Sequence, residues 1–286
     1  MGFSVCQAPM NADSPSPLPR LGAATLLRAL FKHPRRLNGV PTPRTTYILD
    51  RIDPHQLRRY RQALGFRDDG IPLTYYYLLA QRAHVATMLD DAFPFRLPGT
   101  VHTENALRAL AEPLRDVPLV LATTVTIRPP AENGAVVAEL DTVARQQDTV
   151  IFTCRSTYLV VRGQRRQGRA RQDAKALPVL TGWRIPRSMG RAYARISGDW
   201  NPIHLWTWSA RLMGMKRPII HGMHTLARAC AELEQACGRR ILALEGRFRA
   251  PVPLGSELVL GADLAAGSFA VGGGGRVVAE GSFRTV

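Results

Sequence analysis

Residues 193–227 read YARISGDWNPIHLWTWSARLMGMKRPIIHGMHTLA, and the organisation of the whole chain can be worked outward from them. Asp199 and His204 stand five positions apart on either side of Asn201-Pro202. That spacing does not place them on one face of an α-helix. Pro202 also disfavours helical geometry at Asn201, so a turn is expected. A turn can bring both side chains to one point, where a carboxylate and an imidazole sharing a water or hydroxyl form an acid–base pair that adds or removes water. Taken alone, the pair reads as ordinary turn chemistry, because Asp and Asn bond their own backbone in such segments. The context is what favours a site. Seventeen positions beyond His204 stands His221, in RPIIHGMHTL, where Pro218 and Gly222 precede an amphipathic helix. Gly at a helix start admits a substrate close to the backbone, and the unpaired N–H groups there suit a developing oxyanion.

Downstream, MHTLARACAELEQACG reads as a helix stopped by Gly238, and RRILALEGRFRAP, SELVLGADLAAG and RVVAEGSFRTV read as strands between Gly-rich turns. The same order of blocks occurs upstream. TTYILDR alternates as a strand, PHQLRRYRQALG is a helix with a glycine stop, and PLTYYYLLAQRAHVATMLDDAF opens after Pro72 as a longer helix. PLVLATTVTIRP, GAVVAELDTVARQQ and DTVIFTCRSTYLVVRG then follow as strands. IRPPAENGAVV from Ile127 and FRAPVPLGSEL from Phe248 echo each other at a constant offset of 121, matching Arg128 with Arg249 and Gly134 with Gly255. A duplicated α+β unit is expected. Its first copy contains no G-D-x-N-P-x-H string, so one half keeps the chemistry and the other shapes the pocket.

The expected divisions are a tail over residues 1–44, a first unit over 45–165, a polar, basic linker over 166–180 and a second unit over 181–286. The tail contains one basic amphipathic stretch, TLLRALFKHPRRL. A short helix packed on the body is its simpler reading, and a helix lying on a membrane surface is the other.

A chain of 286 residues with 45% hydrophobic and 21% charged content has the make-up of a soluble globular protein. It contains no apolar run near the roughly 18 residues of a spanning helix. The formal net charge of +16 raises the question of nucleic acid. Its arginines are scattered, its only lysines are Lys32, Lys175 and Lys216, and aromatic residues make up 7%. That is a bias of composition, not a phosphate-binding stripe, and no nucleic-acid partner is expected. The cysteines Cys6, Cys154, Cys230 and Cys237 form no C-x-x-C pair. Reduced thiols in a cytoplasmic protein account for them. The first 20 residues show no secretory pattern, and Cys6 stands where myristoylation needs Ser or Thr.

The string S-G-D-x-N-P-x-H, followed at this spacing by R-P-I-[IV]-H-G-M, resembles the signature of the MaoC-like (R)-specific enoyl-CoA hydratases, or hydratase 2. PLTYYYLLAQRAHVATMLDDAFPFRLPGTVHTEN is similar to the non-catalytic half of long, double-hot-dog actinobacterial dehydratases. The resemblance spans roughly residues 45–286 and implies an α+β double hot-dog, two tandem units each with a long helix wrapped by an antiparallel sheet. It implies reversible hydration of trans-2-enoyl thioesters to (R)-3-hydroxyacyl thioesters, carried by CoA or an acyl-carrier protein. Asp199 and His204 would hold and activate the water, and Gly222 would give its backbone N–H to the thioester carbonyl. Asn201 would brace the turn, with Ser197 and Gly198 allowing its tight geometry. Ser197, Asn201 and His221 join the candidate substrate contacts, although packing is the commoner role for such a histidine. Lys216 and Arg217 are candidates for the phosphates, and the Tyr75–Tyr77 run either lines an acyl tunnel or packs in the core.

Two positions depart from the family. Trp206 follows Leu205 where Asp is common, and Cys230 stands where a small polar Ser is found, which touches the pocket mouth and the acyl site. No metal or redox cofactor is implied, and a homodimer is allowed. The alternative function is a non-catalytic acyl-thioester-binding or accessory dehydratase subunit.

Overall fold

In the computed structural model the described residues are 15–34, 42–67, 69–164 and 177–286. Most of the expected linker, and residues 1–14 and 35–41 of the expected tail, lie outside them. The chain opens with a two-residue strand, β1 (Ser16–Pro17), and a helix, α1 (Ala23–Phe31). Then come β2 (Arg44–Leu49), α2 (Pro54–Leu64) and α3 (Tyr75–Leu89). Asp53 caps α2 through the N–H groups of His55 and Gln56, and Gly65, at φ 79°, ends it as the sequence predicts. α3 is buried on nearly every side, from Tyr75 to Met88, because the strands of its unit wrap it.

The first unit continues with β3 (Val101–Ala109), β4 (Leu119–Ile127), β5 (Val136–Gln146) and β6 (Thr149–Val161). The second begins with β7 (Val179–Arg184), α4 (Met189–Ser197), a 3₁₀ turn over Pro202–His204, α5 (Thr207–Leu212) and α6 (Gly222–Cys237). It closes with β8 (Ile241–Phe248), β9 (Glu257–Asp263), β10 (Ser268–Gly273) and β11 (Arg276–Thr285).

The eleven strands of the described residues form one sheet in the order β1-β2-β4-β5-β6-β3-β8-β11-β10-β9-β7. Taken strand by strand, β2 to β6 and β7 to β11 follow the same path: first strand farthest from the centre, second at the centre, the other three filling between. The two central strands, β3 and β8, pair antiparallel, with Asn105 opposite Gly246 and Leu107 opposite Leu244. The fold is an α+β double hot-dog. One buried cluster runs through both units and joins residues of α3, such as Leu78 and Leu79, to residues of α6, such as Leu226 and Leu233.

Strands β3, β7 and β10 are not apparent in the sequence pattern, and β7 takes in Val179 and Leu180 at the end of the expected linker. The 121-residue echo also fails to mark equivalent places. Ile127 ends the third strand of its unit and Phe248 the second strand of the other. Equivalent β3 and β8 start at Val101 and Ile241, 140 positions apart. What the two stretches share is local. Arg128 pairs with Glu139 and Arg249 with Glu280 across neighbouring strands, and Gly134 and Gly255 both sit at φ of 80–90°.

The N-terminal segment is fastened to the body. β1 pairs parallel with β2, Leu18 is buried, and the Arg82 guanidinium donates to the carbonyls of Leu18 (2.7 Å) and Pro19 (2.8 Å).

Candidate active site

The turn arises from the residues expected to make it. Helix α4 ends at Gly198, in left-handed geometry with φ 78°, so the chain reverses immediately before Asp199. The Asp199 N–H donates to Ser197 Oγ (3.2 Å). Asn201 caps the 3₁₀ turn by accepting from the Ile203 N–H (3.3 Å), and Pro202 opens it with its fixed φ. His204 thereby returns toward Asp199.

Both oxygens of the Asp199 carboxylate are held, one by each half of the chain. Oδ1 accepts from the Asn201 N–H (3.1 Å), and Oδ2 accepts from Nε2 of Gln81 on α3 (2.9 Å). Nδ1 of His204 lies 2.9 Å from the Ile219 carbonyl, so that nitrogen carries the proton and Nε2 keeps its lone pair. His221 donates from Nε2 to the backbone carbonyl of Asp199 (2.9 Å), and its ring stacks on His204 with centroids 3.6 Å apart. Asp199, His204 and His221 each offer a donor atom within 4.8 Å of the others. His204 Nδ1 and His221 Nε2 are already committed to carbonyls, and His221 Nδ1 is buried without a partner among the described residues.

Burial opposes charge on Asp199. The His221 and His204 imidazoles, the Asn201 N–H and the Gln81 amide outweigh it, and the carboxyl is held below its ordinary value. Burial, then the neighbouring His221, press the His204 imidazole well below its usual range against the pull of Asp199 and Ile219. Burial also lowers His221. At neutral pH the group therefore consists of a carboxylate and two neutral imidazoles.

Gly222 is the first residue of α6, whose opening N–H groups have no carbonyl one turn earlier to bond. A Cβ there would stand 2.9 Å from the Phe248 ring, so the close approach of backbone to β8 requires glycine. All these groups face one cavity of about 780 Å³, lined from the second unit by Asp199, Asn201, His204, His221 and Gly222. The first unit contributes Tyr77, Gln81, His102 and Tyr158, and α1 contributes Leu26, Ala29 and Leu30. His102 stacks between Tyr77 and Tyr158, with centroids at 5.5 and 4.7 Å.

Other expected residues fall elsewhere. Ser197 is buried outside the lining, with its hydroxyl serving the turn. Lys216 and Arg217 are exposed beside the lining residue Met215 and do not line the cavity. Of the tyrosine run only Tyr77 reaches the cavity. Tyr75 packs edge-on against Tyr60, and Tyr76 stacks on Phe152. Cys230 is fully buried and does not line the cavity. Gln81 and His102 had no reading as site residues. A lone amide inside the largely apolar helix YYYLLAQRAHVATML, next to Arg82, was the only signal for Gln81.

Residues 162–266 match the MaoC-like domain, a stretch that contains the whole turn, Gly222 and the start of α6. Those residues form a MaoC-like dehydratase domain. The chain is therefore an enzyme of the hydro-lyase class. This MaoC-like chain is 28% identical over 193 residues to 3-hydroxyacyl-thioester dehydratase X of Mycobacterium tuberculosis, covering 64% of the chain and 67% of that protein. It is 35% identical over 114 residues to 3-hydroxyacyl-thioester dehydratase Y of the same organism, 36% of the chain and 39% of that protein. The crystal structure of HtdX from M. tuberculosis superposes with a TM-score of 0.69 at 24% identity, over 84% of this chain and all of that one. A further M. tuberculosis protein, described as having a double hotdog fold, superposes at 0.55 with 13% identity over 91% of this chain.

Proposed function

We propose that this MaoC-like enzyme interconverts trans-2-enoyl and (R)-3-hydroxyacyl thioesters of CoA or an acyl-carrier protein, with one active centre per chain. The observation that carries this reading is the convergence of Asp199 and His204, from opposite ends of the Asn201-Pro202 turn, on one cavity beside the Gly222 helix start.

In hydration, the water lies between His204 Nε2 and the Asp199 carboxylate, and the Gly222 N–H donates a hydrogen bond to the thioester carbonyl oxygen. Polarising that carbonyl makes C3 electrophilic and stabilises the enolate that forms as the water oxygen bonds to C3. A carboxylate beside a neutral imidazole holds no spare proton. The proton lost by the water is therefore the one the pair returns to C2, on the same face, and the addition is syn. Dehydration runs the same path backward: the pair removes the C2 proton and hands it to the departing hydroxyl. The aromatic wall of Tyr77, His102 and Tyr158 and the apolar residues of α1 line the remainder of the cavity, where the acyl chain fits.

The test follows loss of the conjugated-thioester absorbance with crotonyl-CoA, and the chirality of the product. Asp199→Asn and His204→Ala are each expected to lower kcat about 10²- to 10⁴-fold. Near-wild-type turnover in both variants, or an (S) product from the wild type, overturns the proposal.

A further inference from the structure

The cavity mouth has an apolar and basic rim that the hydration chemistry does not use. Leu30 of α1 and Leu212 of α5 both line the cavity and are both exposed, so each marks a lip of its opening. Beside Leu30 stand Leu27 and Phe31, the latter 69% exposed. Beside Leu212, itself 81% exposed, stand Trp206 and Trp208, stacked on each other with centroids 6.0 Å apart. Three large apolar side chains on each lip are left facing water. Isolated exposed apolar residues need no explanation, but clusters of this kind around a pocket mark a binding surface.

Charge indicates what the surface meets. No Asp or Glu occurs from Ser14 to Leu49, nor from Asn201 to Ala231. The exposed charged residues carried by the two lips are Arg20 and Arg28 on one, and Arg211, Lys216 and Arg217 on the other; the exposed acids Asp90 and Asp91 stand behind the end of α1, where the Asp90 carbonyl accepts from Lys32. Apolar and indole side chains interleaved with cations are what an interfacial protein presents to anionic headgroups, with Trp at headgroup depth and Leu and Phe among the acyl chains. An acidic carrier protein would be met by the cations alone and gives no use for six water-facing apolar tips. A second copy of the chain would bring the same cations face to face.

We propose that the rim formed by α1 and α5 docks the enzyme on an anionic lipid bilayer, with the cavity mouth toward the headgroups. The proposal concerns the rim and holds or fails independently of the chemistry inside. The full chain is mixed with vesicles of phosphatidylcholine alone or with 30% phosphatidylglycerol, and bound protein is measured by flotation at roughly physiological ionic strength, with brominated lipid as a quencher. At least tenfold stronger binding to the anionic vesicles is expected, with quenching of indole fluorescence that is lost in Trp206→Phe/Trp208→Phe. Phe31→Asp/Trp208→Asp should abolish flotation while leaving crotonyl-CoA turnover in free solution unchanged. Absence of flotation, equal binding to neutral and anionic vesicles, or quenching unaffected by removal of the two indoles overturns the proposal. So does a concentration-dependent doubling of mass, abolished by the same Asp substitutions, which would assign the rim to a second copy. Loss of turnover without loss of flotation in Asp199→Asn keeps the two proposals separable.

Discussion

Gln81 offers the most discriminating test of how the two halves cooperate. Its Nε2 is the donor to Asp199 Oδ2 at 2.9 Å, while its Oε1 is buried without a partner. Gln81→Leu therefore removes one hydrogen bond and orphans no second group in the protein. A hydrogen bond to a charged group contributes about 1.5–3 kcal/mol, which on the transition-state scale is roughly 10- to 150-fold in rate. The loss should appear in kcat, because what is disturbed is the orientation and charge of Asp199 and not the acyl wall. The Gln81 amide is one of the groups that lower the Asp199 carboxyl, so removing it raises that carboxyl and moves the acid limb of the kcat profile to higher pH. Gln81→Glu, which sets a second carboxylate against the first, should move it further. The assay is crotonyl-CoA hydration from pH 4 to 9, with thermal unfolding as a check on the fold. A double-mutant cycle completes it: in an Asp199→Asn background, Gln81→Leu should cost little more. An unchanged pH profile with the loss confined to KM, or full additivity with Asp199→Asn, would refute the positioning role.

Two further outcomes follow from burial and close packing. Gly222→Ala sets a methyl against the Phe248 ring and is expected to destabilise by about 1–3 kcal/mol while lowering kcat about 10- to 100-fold; Phe248→Leu in the same chain should restore part of both, as read by thermal melts and turnover. His84 and His224 are pushed down to about 3, chiefly by burial, so the unfolded chain takes up protons below its ordinary imidazole value of about 6.5 while the folded one does not. Stability should therefore fall with pH from about 6.5 toward the folded values, by up to about 1.4 kcal/mol per pH unit for each histidine. Urea unfolding at pH 7.5 and 5.5 measures it, and His84→Leu should flatten the dependence.

The turn was legible because its chemistry is local: Asn201 caps, Pro202 starts a 3₁₀ turn and Gly198 reverses the chain within ten residues of sequence. Helices α2 and α6 were legible for the same reason, each ending at a left-handed glycine. What escaped is set by distance. β3 is paired on both sides, with β6 and β8, and only Asn105 and Leu107 on it are buried, one of them polar, so its core-facing side leaves no apolar alternation in VHTENALRA. β10 is short and ends in glycines, and β7 lies at the sheet edge, where one neighbour suffices. The echo between Ile127 and Phe248 misplaced the repeat because similar strand ends satisfy similar local demands, an Arg–Glu pair followed by a turn, wherever they fall in the topology. Gln81 was out of reach because 118 positions separate it from Asp199.

Those 118 positions also show why the duplicated unit can be asymmetric. Pairing β3 with β8 brings the helices of one unit against those of the other. α2 then contacts the second unit directly: the Gln56 amide donates to the Ile196 carbonyl (2.7 Å), two residues before Gly198, while Arg228 and Gln235 on α6 donate to the carbonyls of Leu64 and Gly65. The Tyr75 hydroxyl in turn donates to Gln56 (3.2 Å), so the brace on the end of α4 is itself anchored in the α3 core. A unit that lends a wall of aromatic rings, a clamp on α4 and a donor to Asp199 does not need a turn of its own. Its helices α2 and α3 must keep Gln56, Tyr75, Tyr77 and Gln81 in register with the other half, and that requirement is invisible to any pattern confined to one element. Physical constraint on the first unit thus runs through a few polar groups in buried helices, and substitutions there should impair turnover without touching a single residue of the G-D-x-N-P-x-H string.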